Sequence, residues 1–316
     1  MSSMETRACI DSPCRTGRLA VGGGHAIAWQ EFGAAQGVPA LVLHGGPGSA
    51  LTPGLVRFFD LARWRVIGFD QRGCGASTPR GRIADNTTHH LLQDIEALRR
   101  SLGVARWCVV GGSWGATLAL AYAGRHPHAV SGLLLRGLFV PDAQELRWFF
   151  HGARALAPHA WEDLAALAPP AAREHLLPWL TAVFDHGAPA LQERVTLAWL
   201  AWEQALAGSS APAPADLQPA IDRYRVQSHY LAHGCWLGDW ALHAAARNLP
   251  RVPVRFLHGQ ADVVCRPAAA RAVQALIPGS HFDLVPHAGH DPMHPAMSAA
   301  MQEALRSLSQ RQEENA

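Results

Sequence analysis

An α/β fold built on a mostly parallel sheet is what this sequence predicts, and three observations predict it. Short apolar runs recur along the chain with almost no polar interruption, the pattern of strands buried on both faces. Helical patterns fall between these runs, and that alternation implies strands joined by crossover helices. One run, Trp107-Cys108-Val109-Val110, enters Gly111-Gly112-Ser113-Trp114-Gly115 and continues as Ala116-Thr117-Leu118-Ala119-Leu120-Ala121-Tyr122-Ala123, which reads as a strand, a sharp turn and a buried helix.

In chain order the predicted strands are Ala40–Leu43, Arg65–Phe69, Cys108–Val110, Gly132–Leu135, Val254–Leu257 and Phe282–Val285. The clearest helix sets Leu91, Ile95, Leu98 and Leu102 on one face, opens at Thr87 or Thr88 and stops at Gly103. From Pro141 to Asn248 the strand signal disappears. Helix-like stretches carrying Trp148, Trp161, Trp179, Trp199, Trp202, Trp236 and Trp240 replace it, interrupted by the loop-like segment Gly208 to Pro214. The strand rhythm resumes at Val252. The expected organisation is a sheet core made of residues 1–140 and 249–316, with residues 141–248 inserted as a helical cap domain over it. The polar tail after Ser309 is expected to fray.

Composition narrows the function classes. With 316 residues, 49% of them hydrophobic and 16% charged, the chain can build a large core and does not read as disordered. A net charge of +2 supplies no basic stripe, so nucleic acid is not an expected partner. The six cysteines form no Cys-x-x-Cys pair, and a chain this long needs no disulfide staples, so reduced thiols in a cytoplasmic setting are expected. Met1 to Ala20 mixes charged and small residues without an apolar core, which argues against a secretory leader. The uncharged run Trp107 to Gly124 approaches membrane-spanning length, but the strand–turn–helix reading accounts for it and no membrane partner is expected.

A serine held out of the backbone at such a turn is placed to attack, and it needs a base and an acid to orient that base. In this arrangement the order along the chain is serine, acid, histidine. Asp262 follows the strand ending Phe256-Leu257-His258-Gly259 and fits the acid; the bland alternative is that it caps the helix after Pro267. Asp283 competes, but it lies within a strand and should face the core edge. His290 follows Leu284-Val285-Pro286 and fits the base, with His287 as the alternative. His287, His290 and His294 are spaced as metal ligands sometimes are, yet Pro286 and Pro292 oppose a regular helix there, so neither metal nor cofactor is expected. The oxyanion hole should use the N–H of Trp114 and one from His44-Gly45-Gly46-Pro47-Gly48, with Gly46 the first choice and Gly45 the alternative. Asp70 and Arg72 read as a structural hydrogen-bond network, and Cys74 as packing.

Together, His44-Gly-Gly-Pro-Gly48, Asp70-Gln-Arg-Gly-Cys-Gly75, Asn86-Thr-Thr88 with Asp94-Ile-Glu96, Gly111-Gly-Ser-Trp-Gly115 and Leu135-Arg-Gly137 resemble the proline iminopeptidases of the α/β-hydrolase fold. The resemblance implies a serine peptidase that releases an N-terminal residue, preferably proline, from a small peptide or an aminoacyl amide or ester through an acyl-enzyme. It also implies that the cap holds the substrate's free amine with acidic side chains and the proline ring with apolar ones. Glu203 matches one such acid, with a solvated helix face as its alternative reading. The family stretch Glu-Asn-His-Tyr corresponds here to Gln227-Ser228-His229-Tyr230, so a glutamine replaces the second acid, and Leu231 stands where an aromatic is expected. Phe139, Phe149 and Phe150 match the apolar wall. The change at Gln227 prompts a second reading, an esterase or amidase with an altered pocket.

Overall fold

The computed structural model describes residues 12–209 and 211–313. The leader reading at residues 1–11, Ser210 of the 208–214 loop, the side chain of Trp240 and residues 314–316 of the tail lie outside the described residues.

Eight strands form one sheet: β1 (Arg15–Gly22), β2 (His25–Gly33), β3 (Val38–Leu43), β4 (Trp64–Phe69), β5 (Trp107–Gly112), β6 (Val130–Arg136), β7 (Val254–Gly259) and β8 (His281–Val285). Their spatial order is β1-β2-β4-β3-β5-β6-β7-β8. The six predicted strands are β3 to β8, and they pair in parallel. β1 and β2 were not expected; they form an antiparallel hairpin, with β2 antiparallel to β4. Their edge position leaves one face half exposed, so the sequence there alternates instead of running apolar. Gly22, Gly23 and Gly24, all with φ between +60° and +83°, turn the hairpin.

Strand alternation divides the core. Leu41, Leu43, Val109, Leu133 and Leu135 face one cluster, which is closed by Leu91, Ile95 and Leu98 of α2 (Thr88–Ser101) and by α3 (Trp114–Arg125). Ala40, Val42, Cys108, Val110 and Leu134 face the other, closed by Val56 of α1 (Pro53–Val56) and by Met297, Met301 and Leu305 of α11 (Pro295–Glu313). α2 starts as expected, with the Thr87 side chain accepting from the His90 N–H, and Gly103 follows its end at φ +65°. The tail after Ser309 is helical as far as Glu313, since α11 continues to that residue; Leu308 and Ser309 are buried.

Between β6 and β7 the described residues form helices joined by loops, with no strand: α4 (Ala143–Phe150), α5 (Pro158–Ala166), α6 (Leu176–His186), α7 (Pro189–Ala207), α8 (Gln218–Ala232) and α9 (Gly238–Arg247). Trp199 joins α4, α6, α7 and α8. It stacks on Tyr224 at 4.5 Å and meets Phe150 at 5.5 Å and Phe184 at 6.0 Å. α9 differs from its neighbours, because it packs on α3: a Cβ on Gly124 would sit 2.6 Å from Ala245 Cα. It therefore flanks the sheet. α10 (Pro267–Gln274) also covers the sheet. Among the described residues, no helix is long and apolar enough to cross a membrane.

Because β3, β5, β6, β7 and β8 are parallel, the loops that follow Leu43, Gly112, Arg136, Gly259 and Val285 emerge at one edge of the sheet. Gly45, Gly46, Ser113, Asp262 and His290 lie in those loops, and Trp114 opens the helix that follows one of them.

Candidate active site

Ser113 sits at φ +57° and ψ −125°, a conformation L-residues avoid, between the end of β5 and the start of α3. Glycines make this elbow possible. A Cβ on Gly111 would collide with the Gly115 carbonyl, and one on Gly115 with the Leu43 carbonyl, so strand, turn and helix touch backbone to backbone. Trp114 opens α3; its N–H belongs to the first turn and has no carbonyl partner within the helix. Ser113 Oγ lies 3.9 Å from Cys265 Sγ. Burial holds the Cys265 thiol well above its ordinary value, so it remains protonated beside the serine at neutral pH.

His290 Nδ1 lies 2.8 Å from Asp262 Oδ2, and the carboxylate is 1% exposed while the imidazole is 15% exposed. Asp262 does not cap α10. Its Oδ1 accepts from the N–H groups of Val264 and Cys265, which fixes the loop instead, and Arg266 stands at the helix cap. Burial alone would raise the Asp262 carboxyl. The charge and hydrogen bond of His290, then His258 and the Cys265 N–H, outweigh it and hold the group below the ordinary carboxylate range. Arg136 Nη1 donates to the His290 carbonyl at 2.8 Å. Gly137, at φ +53°, leaves space for the pair: a Cβ there would stand 3.3 Å from His290 Cε1 and 3.4 Å from Asp262 Oδ2. Asp283 pairs with Arg255 at 2.6 Å on the strand, away from the rim. His287 is exposed in a turn at φ +59° and does not line the cavity described next.

A cavity of about 350 Å³ opens over Ser113 and His290, with Gly45 and Gly46 on its core side. The loop carrying these glycines is tied to the elbow. Trp114 Nε1 donates to Gln71 Oε1 at 2.9 Å, Gln71 Nε2 donates to the His44 carbonyl at 3.0 Å, and the Gln71 N–H donates to His44 Nε2 at 3.0 Å. Burial keeps His44 below its ordinary value; its neutral ring donates from Nδ1 to the Gly45 carbonyl and accepts at Nε2. Arg72 makes a bidentate pair with Asp94 at 2.6 and 2.7 Å, and Asp70 accepts from Leu51 and Ala76, the structural network expected of them. Cys74 is buried, and burial raises its thiol.

The cap side of the cavity is made by α4, α7 and α8. Phe139, Phe149 and Leu231 line it. Phe150 does not. Its ring turns into the cap core against Trp199, because residues one apart on a helix face different sides. Glu203 and Gln227 also line the cavity, and Glu203 is not on a solvated face. Its Oε2 accepts from Arg223 Nη2 at 2.6 Å and from the Tyr224 hydroxyl at 3.0 Å, and its Oε1 accepts from Gln227 Nε2 at 2.7 Å. Sequence reasoning missed Arg223, Cys265 and the bridging role of Gln71. For Arg223 a signal existed: Arg223, Gln227 and Leu231 fall at i, i+4 and i+8, one stripe of α8.

A model of the α/β hydrolase fold family matches residues 39–295. The chain is 34% identical over 300 residues to a probable proline iminopeptidase of Leptolyngbya boryana, covering 93% of this chain and 94% of the relative. It is 36% identical over 296 residues to a proline iminopeptidase of Xylella fastidiosa, covering 90% and 93%. Among solved structures it is similar to a proline iminopeptidase of Mycobacterium smegmatis, with a TM-score of 0.61 at 22% identity over 94% of this chain and 99% of the other.

Proposed function

The chain belongs to the proline iminopeptidases of the α/β-hydrolase fold family, and we propose that it is a serine peptidase that releases an N-terminal residue, preferably proline, from small peptides. The observation that carries the mechanism is the His290–Asp262 pair at 2.8 Å, opening on the same cavity as the strained Ser113 elbow. Ser113 attacks the scissile carbonyl, and His290 takes its proton at Nε2. Asp262 holds the imidazole through Nδ1–H and stabilises the imidazolium that forms. The Trp114 N–H and that of Gly46, or of Gly45 next to it, receive the negative charge that builds on the carbonyl oxygen; one such donor contributes ~10²–10³-fold in rate. His290 then gives its proton to the departing amine, and water, activated the same way, releases the acyl group from Ser113.

In this reading α4 to α8 of the 141–248 insertion act as the cap while α9 flanks the sheet, with Phe139, Phe149 and Leu231 enclosing the acyl side chain and Glu203 and Gln227 near its nitrogen. Phe139 reaches the cavity from the segment just before the cap. The buried thiols of Cys74, Cys108, Cys235 and Cys265, none bridged, support a reducing, cytoplasmic setting. A second reading, an esterase or amidase of the same fold, is favoured by one observation: Gln227 offers the substrate nitrogen no charge.

An arylamide panel separates the two. Prolyl and alanyl arylamides should be turned over, and Ser113→Ala should lower kcat by roughly 10⁴-fold or more without altering the fold. Surviving turnover in Ser113→Ala would overturn the assignment of the nucleophile. Esters cleaved with no turnover of any free-amine arylamide would establish the second reading.

A further inference from the structure

Among the described residues, Glu203 is the one carboxylate in the cavity wall, and it is already engaged. Arg223, Tyr224 and Gln227, all within about one turn of α8, deliver three donors to its two oxygens. Arg223 itself lines the cavity, 30% exposed, with its guanidinium 5.0 Å over the Tyr224 ring. The Arg223 backbone is held too, since its carbonyl fills the place a Cβ would take at Gly48. A substrate ammonium entering this site therefore meets a carboxylate whose charge is neutralised by a fixed neighbour. Gln227 Oε1, by contrast, is buried and has no partner, an acceptor that asks for an N–H and not for a charge.

We propose that Arg223 is a specificity-determining residue: it takes the counter-ion position on Glu203 and opens the site to acyl groups whose nitrogen is uncharged alongside those bearing an ammonium. This inference rests on the peptidase reading above for the site's location. It concerns which nitrogen the site accepts, not how the bond is cut. In the presence of Arg223 the charge of the substrate nitrogen gains little, because an ion pair is worth most where it has no competitor. Without Arg223, Glu203 is left as a part-buried anion and selects a cation strongly.

The test uses binding, so that it does not depend on turnover. L-alaninamide and N-acetyl-L-alaninamide both carry an N–H and differ in charge. Their Kd values are measured by calorimetry in the Ser113→Ala protein, with Arg223, Arg223→Lys, Arg223→Gln and Arg223→Met, each checked by circular dichroism. The expected result is Kd values within about ten-fold of each other with Arg223 or Lys, and an alaninamide affinity tightened about ten-fold in the Gln and Met variants with the acetylated ligand unchanged. An unchanged ratio in the Gln and Met variants would overturn the proposal, as would a ratio in Arg223→Lys matching theirs. Absence of arylamide turnover by the wild-type enzyme, with the affinity shift intact, would instead remove the peptidase reading alone.

Discussion

Gln71 makes the case at the scale of one residue. Its amide joins the Trp114 indole to the His44 carbonyl, and its N–H holds the His44 ring. Three short motifs, each read separately in the sequence, are therefore one hydrogen-bonded unit beneath the oxyanion loop. Gln71→Leu removes both side-chain bonds and strands buried groups on either side. Each stranded group should cost about 1–3 kcal/mol, and kcat should fall more than KM changes, because in the proposed mechanism the loop supplies a transition-state donor. Urea unfolding with steady-state kinetics checks both; unchanged stability and kcat would show the bridge to be idle. Ser113, Asp262 and His290 were legible in the sequence because strand ends and chain order define them. Gln71 was not, because a bridging amide leaves no periodic or spacing signature.

At the scale of elements, the joint between α2 and α3 is set by Glu96. Its carboxylate accepts from Arg99 at 2.8 and 2.9 Å on its own helix and from the Tyr122 hydroxyl at 2.6 Å on α3. Burial raises this group, but the bonds from Arg99 and Tyr122 outweigh it and pull it to about 2 from an ordinary 4.5. A depressed carboxylate stabilises the fold fully above its unfolded value and loses that contribution as pH falls through its folded one. Tm should therefore drop as pH falls from 4.5 toward 2, and Glu96→Gln should flatten that slope; parallel Tm–pH curves would refute the role. Of the apolar stripe read for α2, Leu91, Ile95 and Leu98 are buried on the helix, and Leu102 falls at its C-cap. The β1–β2 hairpin was not readable, because half-exposed strands carry polar residues and lack the continuous run that marks β3 to β8. The side of α4 to which Phe150 points was equally hidden, since Phe149 and Phe150 are alike in kind and only packing tells them apart.

Across the whole molecule, α8 is a cap helix fastened by its side chains to those of the core. Asp222 pairs with Arg80 at 2.7 Å, and the Tyr230 hydroxyl donates to Asn86 Oδ1 at 2.7 Å. Asn86 in turn donates to the carbonyls of Arg72 and Arg82 at 2.9 and 3.0 Å. The stripe of Arg223, Gln227 and Leu231 is thus positioned by residues outside the cap. Asn86→Ala should lower stability by about 1–3 kcal/mol and raise KM for arylamides without a matching loss of kcat. Chemical denaturation and initial-rate kinetics measure the two effects, and an unaltered KM would mean that α8 keeps its place without this anchor. The sequence marked Asn86 through its motif, yet its distance of 144 positions from Tyr230 hid the partner.

The edge of the sheet at which the loops gather has a further consequence, for the order of events in folding. Residues 44, 113, 137, 262 and 290 meet only once β8, the last strand in the chain, has paired with β7. Contacts of such sequence separation form late, after local helices and hairpins. During synthesis the elbow serine is built in the first half of the chain and its histidine near the end. Under the proposed mechanism the nascent polypeptide therefore carries its nucleophile before the base that would activate it, and stays chemically silent until the final strand is in place.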